Sequence, residues 1–222
     1  MMPFPGGLAA TANGTLLLSL VAAFLYLFMV AGAPSWRRTV AKTAAVALLA
    51  VLAAAEGGPW LLIVALALSA AGDAFLAQDG ERPFLAGLAS FLAAHLAYAA
   101  LFLSAGSLAL LFGTPLRLAA GALMVLFAVG MFHRLRPALP ATMTMPVVAY
   151  VAAILAMGLS ALGLPAPAVI AGAVLFMASD AILAVETFLL SRESPELVWT
   201  RPAVWVLYYA AQVTITLGVL LA

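Results

Sequence analysis

Ala70-Ala71-Gly72-Asp73-Ala74-Phe75-Leu76 closes a long apolar run and sets a carboxylate inside a segment that reads as a membrane helix. Ala178-Ser179-Asp180-Ala181-Ile182-Leu183 repeats the arrangement far down the chain. An ionisable group at membrane depth costs roughly 2.5–3.5 kcal/mol on insertion scales, so it is kept for a reason. Two such groups in matching contexts set the frame for the rest of the chain.

The 222 residues are 67% hydrophobic and only 8% charged. A chain this small cannot hide so much apolar surface from water, which makes lipid its solvent. It has no cysteine, which excludes disulfides and thiolate metal sites. A net charge of +1 argues against nucleic acid as a partner. The first dozen residues carry no Lys or Arg, so the first helix is expected to be retained rather than cleaved as a signal peptide.

A span needs about 20 mostly apolar residues. Eight such stretches are expected, near 13–32, 39–55, 59–77, 83–105, 115–135, 139–162, 165–190 and 199–221, giving one all-α transmembrane domain over 1–222. With eight spans, Arg37, Arg38, Lys42, Arg82, Arg134, Arg136, Arg192 and Arg201 fall on one side and only Arg117 on the other. The basic side is cytoplasmic by the positive-inside rule, which puts both termini outside. Trp36, Trp60 and Trp199 lie near helix ends, as interfacial anchors do. Asp73 and Asp180 occupy spans of the same direction, which suggests a 4+4 parallel repeat.

Helix rise places Lys42, Asp73, Asp180, Tyr150, Tyr208 and His95 in the cytoplasmic half of the bilayer or near its centre. His95 and Tyr98 share a face at i,i+3, and Tyr208 and Gln212 share one at i,i+4. Tyr209 is grouped with them. Such groups are costly against lipid, so they are expected to converge on a polar cavity opening toward the inner leaflet. Plainer roles stand beside these. The two Asp could tie helices together through Lys42, the tyrosines could be packing, and the arginines could only set topology. Two histidines 38 positions apart, with no HxxxH or HxxE spacing, are a weak case for zinc, and no nucleotide-binding glycine pattern is present. No cofactor is expected.

Gly72-Asp73, the run Gly87-Leu-Ala-Ser-Phe-Leu-Ala-Ala-His95-Leu-Ala-Tyr98, Ser179-Asp180 and Tyr208-Tyr209-Ala-Ala-Gln212 resemble the YhhN-like lysoplasmalogenase family of eight-helix membrane proteins. Met145-Pro146 and Tyr150 resemble its sixth helix. Lys42-Thr43 departs from the Lys-Pro often found there. The resemblance implies hydrolysis of the vinyl ether bond of lysoplasmalogens, in the inner membrane of a bacterium, to a fatty aldehyde and a glycerophospho-ethanolamine or -choline. A vinyl ether is cleaved by protonating its β-carbon, and water then attacks the oxocarbenium ion. Two carboxyl groups in a low-dielectric cavity can divide that work, one as acid and one as base, as in glycoside hydrolysis.

On this reading Asp73, Asp180 and His95 are catalytic. Lys42, Tyr98, Tyr150, Ser179, Tyr208, Tyr209, Gln212 and Arg82 bind the lysophospholipid, with its phosphate near Arg82, Arg134 or Arg201. Entry is lateral, from the lipid. A proton-coupled transporter is the competing class, since midplane carboxylates occur there too. A purely structural membrane partner is a third.

Overall fold

The computed structural model describes residues 2–7 and 10–222, and among these it contains helices and no strand. The long helices are α1 (Thr11–Met29), α2 (Trp36–Ala55), α3 (Trp60–Leu76), α4 (Glu81–Ala105), α6 (Pro115–Leu135), α7 (Ala141–Ala161), α8 (Pro167–Phe188) and α9 (Leu197–Leu220). A short α5 (Leu108–Gly113) lies between α4 and α6, and a 3-10 turn (Arg136–Ala138) follows α6. Each of the eight expected apolar stretches is a helix.

Among the described residues, seven helices are long and apolar enough to cross a membrane. The remaining long one, α3, has 17 residues; its length of about 25 Å falls slightly below a typical hydrocarbon core. Outward faces are greasy, as lipid requires: Phe28 is 74% exposed and Leu116 79%. Trp36 and Trp60 are the exposed first residues of α2 and α3.

No hydrophobic effect drives helices together in lipid, so close backbone approach must do it. The tightest pairs are α3–α4 and α8–α9. Gly72 lies against the Phe91 ring so closely that a Cβ there would stand 2.7 Å from it, and one at Gly87 would meet Leu76 at 2.6 Å. In the second pair a Cβ on Gly172 would meet Ile215 at 2.6 Å. One serine stitches each pair: Ser90 Oγ donates to the Leu68 carbonyl at 2.8 Å, and Ser179 Oγ to the Val204 carbonyl at 2.9 Å. The resemblance between halves stops there. α1–α2 and α2–α3 pack extensively, whereas α6–α7 and α7–α8, their counterparts under a four-plus-four repeat, touch lightly. α6 is the most peripheral span and buries little beyond Gly121, Met124, Ala128 and Leu135.

Two helices carry interior prolines, Pro146 in α7 and Pro202 in α9. The α1–α2, α3–α4 and α8–α9 connections meet at one end of the bundle, where Pro34, Asp79 and Arg192 border one cavity. Arg117 lies at the other end. It donates to the backbone carbonyls of Leu162 and Leu164, the latter at 2.8 Å, and so caps the end of α7.

Candidate active site

Burying a carboxylate requires partners, and both intramembrane Asp have them. Asp73, in the last turn of α3, lies 3.0 Å from Lys42 Nζ of α2, with its side chain 1% exposed. Tyr208 Oη of α9 donates to the other carboxyl oxygen of Asp73 at 2.8 Å. Asp180, on α8, accepts from Tyr150 Oη of α7 at 2.6 Å. His95 Nε2 of α4 stands 3.5 Å from the same oxygen.

The histidine contact carries proton information. His95 Nδ1 lies 2.7 Å from the Phe91 carbonyl, which can only accept, so Nδ1 carries the hydrogen. A neutral imidazole then turns a lone pair toward Asp180. Two lone pairs facing each other repel, so the His95–Asp180 pair is satisfied when it holds one proton. Asp73 differs: Lys42 supplies the counter-charge for an ionised carboxylate there. No Lys or Arg lies within 4.0 Å of Asp180 among the described residues.

Both carboxyl groups line one polar cavity of about 520 Å³. Lys42, Ser179 and Tyr208 line it as well. Next to it, between α4, α6, α7 and α8, runs a narrow groove of about 110 Å³ with almost entirely apolar walls, including Leu88, Phe127, Met131 and Ile154. Leu76, Phe84, Phe91, Leu183 and Thr187 border both spaces, and Asp180 is the one ionisable group that does. A molecule with a polar head and one hydrocarbon chain could therefore lie across Asp180, with its head beside Asp73.

An aromatic cluster packs around the site. Phe176 sits with its ring edge-on to His95 at 4.6 Å, Tyr208 at 5.3 Å and Phe91 at 6.4 Å between centroids. Tyr98 and Gln212 lie outside both cavities. They are wholly buried and bonded to each other, Tyr98 Oη donating to Gln212 Oε1 at 2.5 Å. Tyr209 turns away to Ser19 Oγ at 2.7 Å, which itself donates to the Ala45 carbonyl, so this trio ties α9 to α1 and α2. Arg82 is exposed at the start of α4 and borders neither cavity.

The cavity mouth also holds Arg38, Arg192, Arg201, Asp79 and Glu186. Of these only Arg201 was expected at the site. The others lie at or just beyond helix ends; the sequence assigns Arg38 and Arg192 to topology and Asp79 to water, and leaves Glu186 open. Trp205 lines the cavity too, fixed by its indole N–H donating to the Ala23 carbonyl at 3.0 Å.

The chain matches the model of the YhhN family over residues 37–219. It is 30% identical over 213 residues to lysoplasmalogenase TMEM86A of Bos taurus, a match covering 88% of this chain and 83% of that protein. It is 34% identical over 161 residues to a lysoplasmalogenase of Mycobacterium tuberculosis, covering 71% of this chain and 59% of the relative. No solved structure matches it. The chain belongs to the YhhN family.

Proposed function

We propose, with membership of the YhhN family as the premise, that this protein hydrolyses the vinyl ether bond of a lysoplasmalogen-type phospholipid. The observation that carries the reading is that Asp180 borders both the polar cavity holding Asp73 and the apolar groove. The names of the relatives supply the substrate class, and the two spaces fit its shape.

The single chain lies in the groove and the glycerophosphate head in the cavity, so the vinyl ether passes Asp180. Asp180 gives its proton to the β-carbon, and the C=C electrons form the new C–H bond. The α-carbon and its ether oxygen then share the positive charge of an oxocarbenium ion, flanked by Asp180 and Asp73 as carboxylates. Asp73 takes a proton from water as the water oxygen bonds to the α-carbon. The resulting hemiacetal breaks its C–O bond to glycerol. Asp73 passes its new proton to the glycerol oxygen, which leaves as an alcohol, while the hemiacetal O–H gives its proton to Asp180 and its electrons form the C=O of the aldehyde. His95 and Tyr150 hold Asp180 in place, and Tyr208 and Lys42 hold Asp73. General acid–base assistance of this kind is worth about 10²–10⁴-fold per group.

Counting α3 as an eighth span, the positive-inside rule supports a cytoplasmic basic end and cavity, with both termini outside. The protein then resides in the inner membrane and draws its substrate laterally from the inner leaflet.

The test is hydrolysis in D₂O by purified protein, with the aldehyde trapped at once by borohydride. Carbon protonation places one deuterium on the former β-carbon. An aldehyde released without that deuterium, or no aldehyde from any lysoplasmalogen, refutes the reading.

A further inference from the structure

Five charged side chains at the cavity mouth take no part in the mechanism above: Arg38, Arg192, Arg201, Glu186 and Asp79. Three guanidinium groups and two carboxylates around one chamber would ordinarily neutralise one another. Yet none of the five has an ion-pair partner within 4.0 Å among the described residues. Arg38 Nε and Glu186 Oε1 are buried and take no hydrogen bond within 3.5 Å, although Thr200 and Arg201 lie near enough to act on the Glu186 carboxylate. Arg38, Glu186 and Arg201 are only partly exposed, so water does not fully replace the missing partners. Burying unpaired polar groups is costly, and a ligand carrying both signs of charge would relieve it.

A phosphate linked to an ammonium group is such a ligand. Guanidinium binds phosphate oxygens bidentately, which suits the arginines. A carboxylate takes hydrogen bonds from an ammonium that has N–H groups to give. A trimethylammonium has none and is held instead over aromatic faces. Of the five rings bordering this cavity, all but Phe84 are already engaged. Arg38 and Lys42 lie over Tyr26, at 5.8 and 5.9 Å from its centroid. Trp205 packs on Tyr26 at 4.4 Å and is stacked on Tyr209 at 5.7 Å. Tyr208 is pressed between Phe91 and Phe176, at 5.6 and 5.3 Å. Among the described residues that leaves the single ring of Phe84, which is not a cage.

We infer that the mouth is a head-group subsite that selects a phosphate-linked primary ammonium, the ethanolamine type, over the choline type. Glu186 receives the ammonium N–H groups, and Arg38 and Arg201 receive the phosphate. The inference rests on the lysophospholipid reading given above, and it concerns binding, not the bond that breaks.

The experiment therefore uses lysophospholipids whose chain is joined by an ester, which has no vinyl ether to cleave. Binding to purified protein in nanodiscs is titrated with lysophosphatidylethanolamine, its N-methyl and N,N-dimethyl forms, and lysophosphatidylcholine of the same chain. Affinity should fall stepwise as N–H groups are lost, by about tenfold in all. Glu186→Gln should remove most of that preference while leaving affinity for the choline lipid within about twofold. Equal affinity along the methylation series overturns the inference, and so does a preference that survives Glu186→Gln. The series needs only the wild-type protein, so it decides even if the variant does not fold. Aldehyde release from vinyl-ether lysolipids is measured alongside. A protein that binds in this order yet releases no aldehyde refutes the hydrolase reading and leaves the head-group assignment standing.

Discussion

Lys42 and Asp73 lie 3.0 Å apart with side chains 15% and 1% exposed, so each is the other's main source of counter-charge. Removing one partner of a buried pair strands the other, at a cost of about 3–5 kcal/mol. Lys42→Met should therefore lower the unfolding midpoint in detergent markedly. Adding Asp73→Asn should recover most of that loss without restoring activity. Additive losses in a thermal-shift series would show that the pair is not coupled. Tyr150 acts differently, since its hydroxyl orients Asp180 at 2.6 Å and leaves the net charge alone. Tyr150→Phe should lower kcat about tenfold with KM nearly unchanged, read from steady-state aldehyde release. Asp73 and Asp180 were legible in the sequence because a carboxylate in an apolar run has no ordinary excuse. Ser19 was not: a serine in an apolar helix carries no comparable signal, and only the fold shows it between Tyr209 and Ala45. Tyr209 was misgrouped with Tyr208 because depth along a helix says nothing of rotation about it.

At the scale of elements, glycine sets the spacing of the two tightest pairs. Gly172→Ala should destabilise by about 1–3 kcal/mol, because its Cβ would meet Ile215 at 2.6 Å and the Ala211 carbonyl at 3.1 Å. Gly130→Ala on α6 has nothing within 4 Å of the new Cβ, so it should be neutral or slightly stabilising. Unfolding midpoints of the two variants check the contrast. Helix positions were readable throughout, since 20-residue apolar runs bounded by Gly, Pro and Arg leave few alternatives. α5 was not, because Leu108–Gly113 is a single apolar turn and a half, too short for periodicity to register. Unequal packing of the two halves was invisible for another reason: matching Asp contexts report on two helices, not on how their neighbours sit.

For the whole molecule, the arrangement of charge and groove makes the account vectorial. The chain has no cysteine, so single cysteines can be introduced cleanly. Ser35→Cys and Ser191→Cys, at the basic end, should react with an impermeant maleimide only from the cytoplasm, and Ser107→Cys only from outside. The reverse pattern would invert the topology. Ala184 lines the groove on α8, and Ala184→Trp should fill much of its narrow width. KM for a long-chain vinyl-ether lysolipid should rise severalfold, with smaller change for a short-chain analogue. An equal effect on both would place the hydrocarbon elsewhere.

The proposed hydrolysis requires Asp73 and Asp180 to act together on one bond. Its most direct measurement is single-turnover aldehyde release by Asp73→Asn and Asp180→Asn, each purified and shown to be monodisperse and folded. The prediction is a loss of at least about a hundredfold for each, with lysolipid still bound. Near-normal turnover from either variant would contradict it.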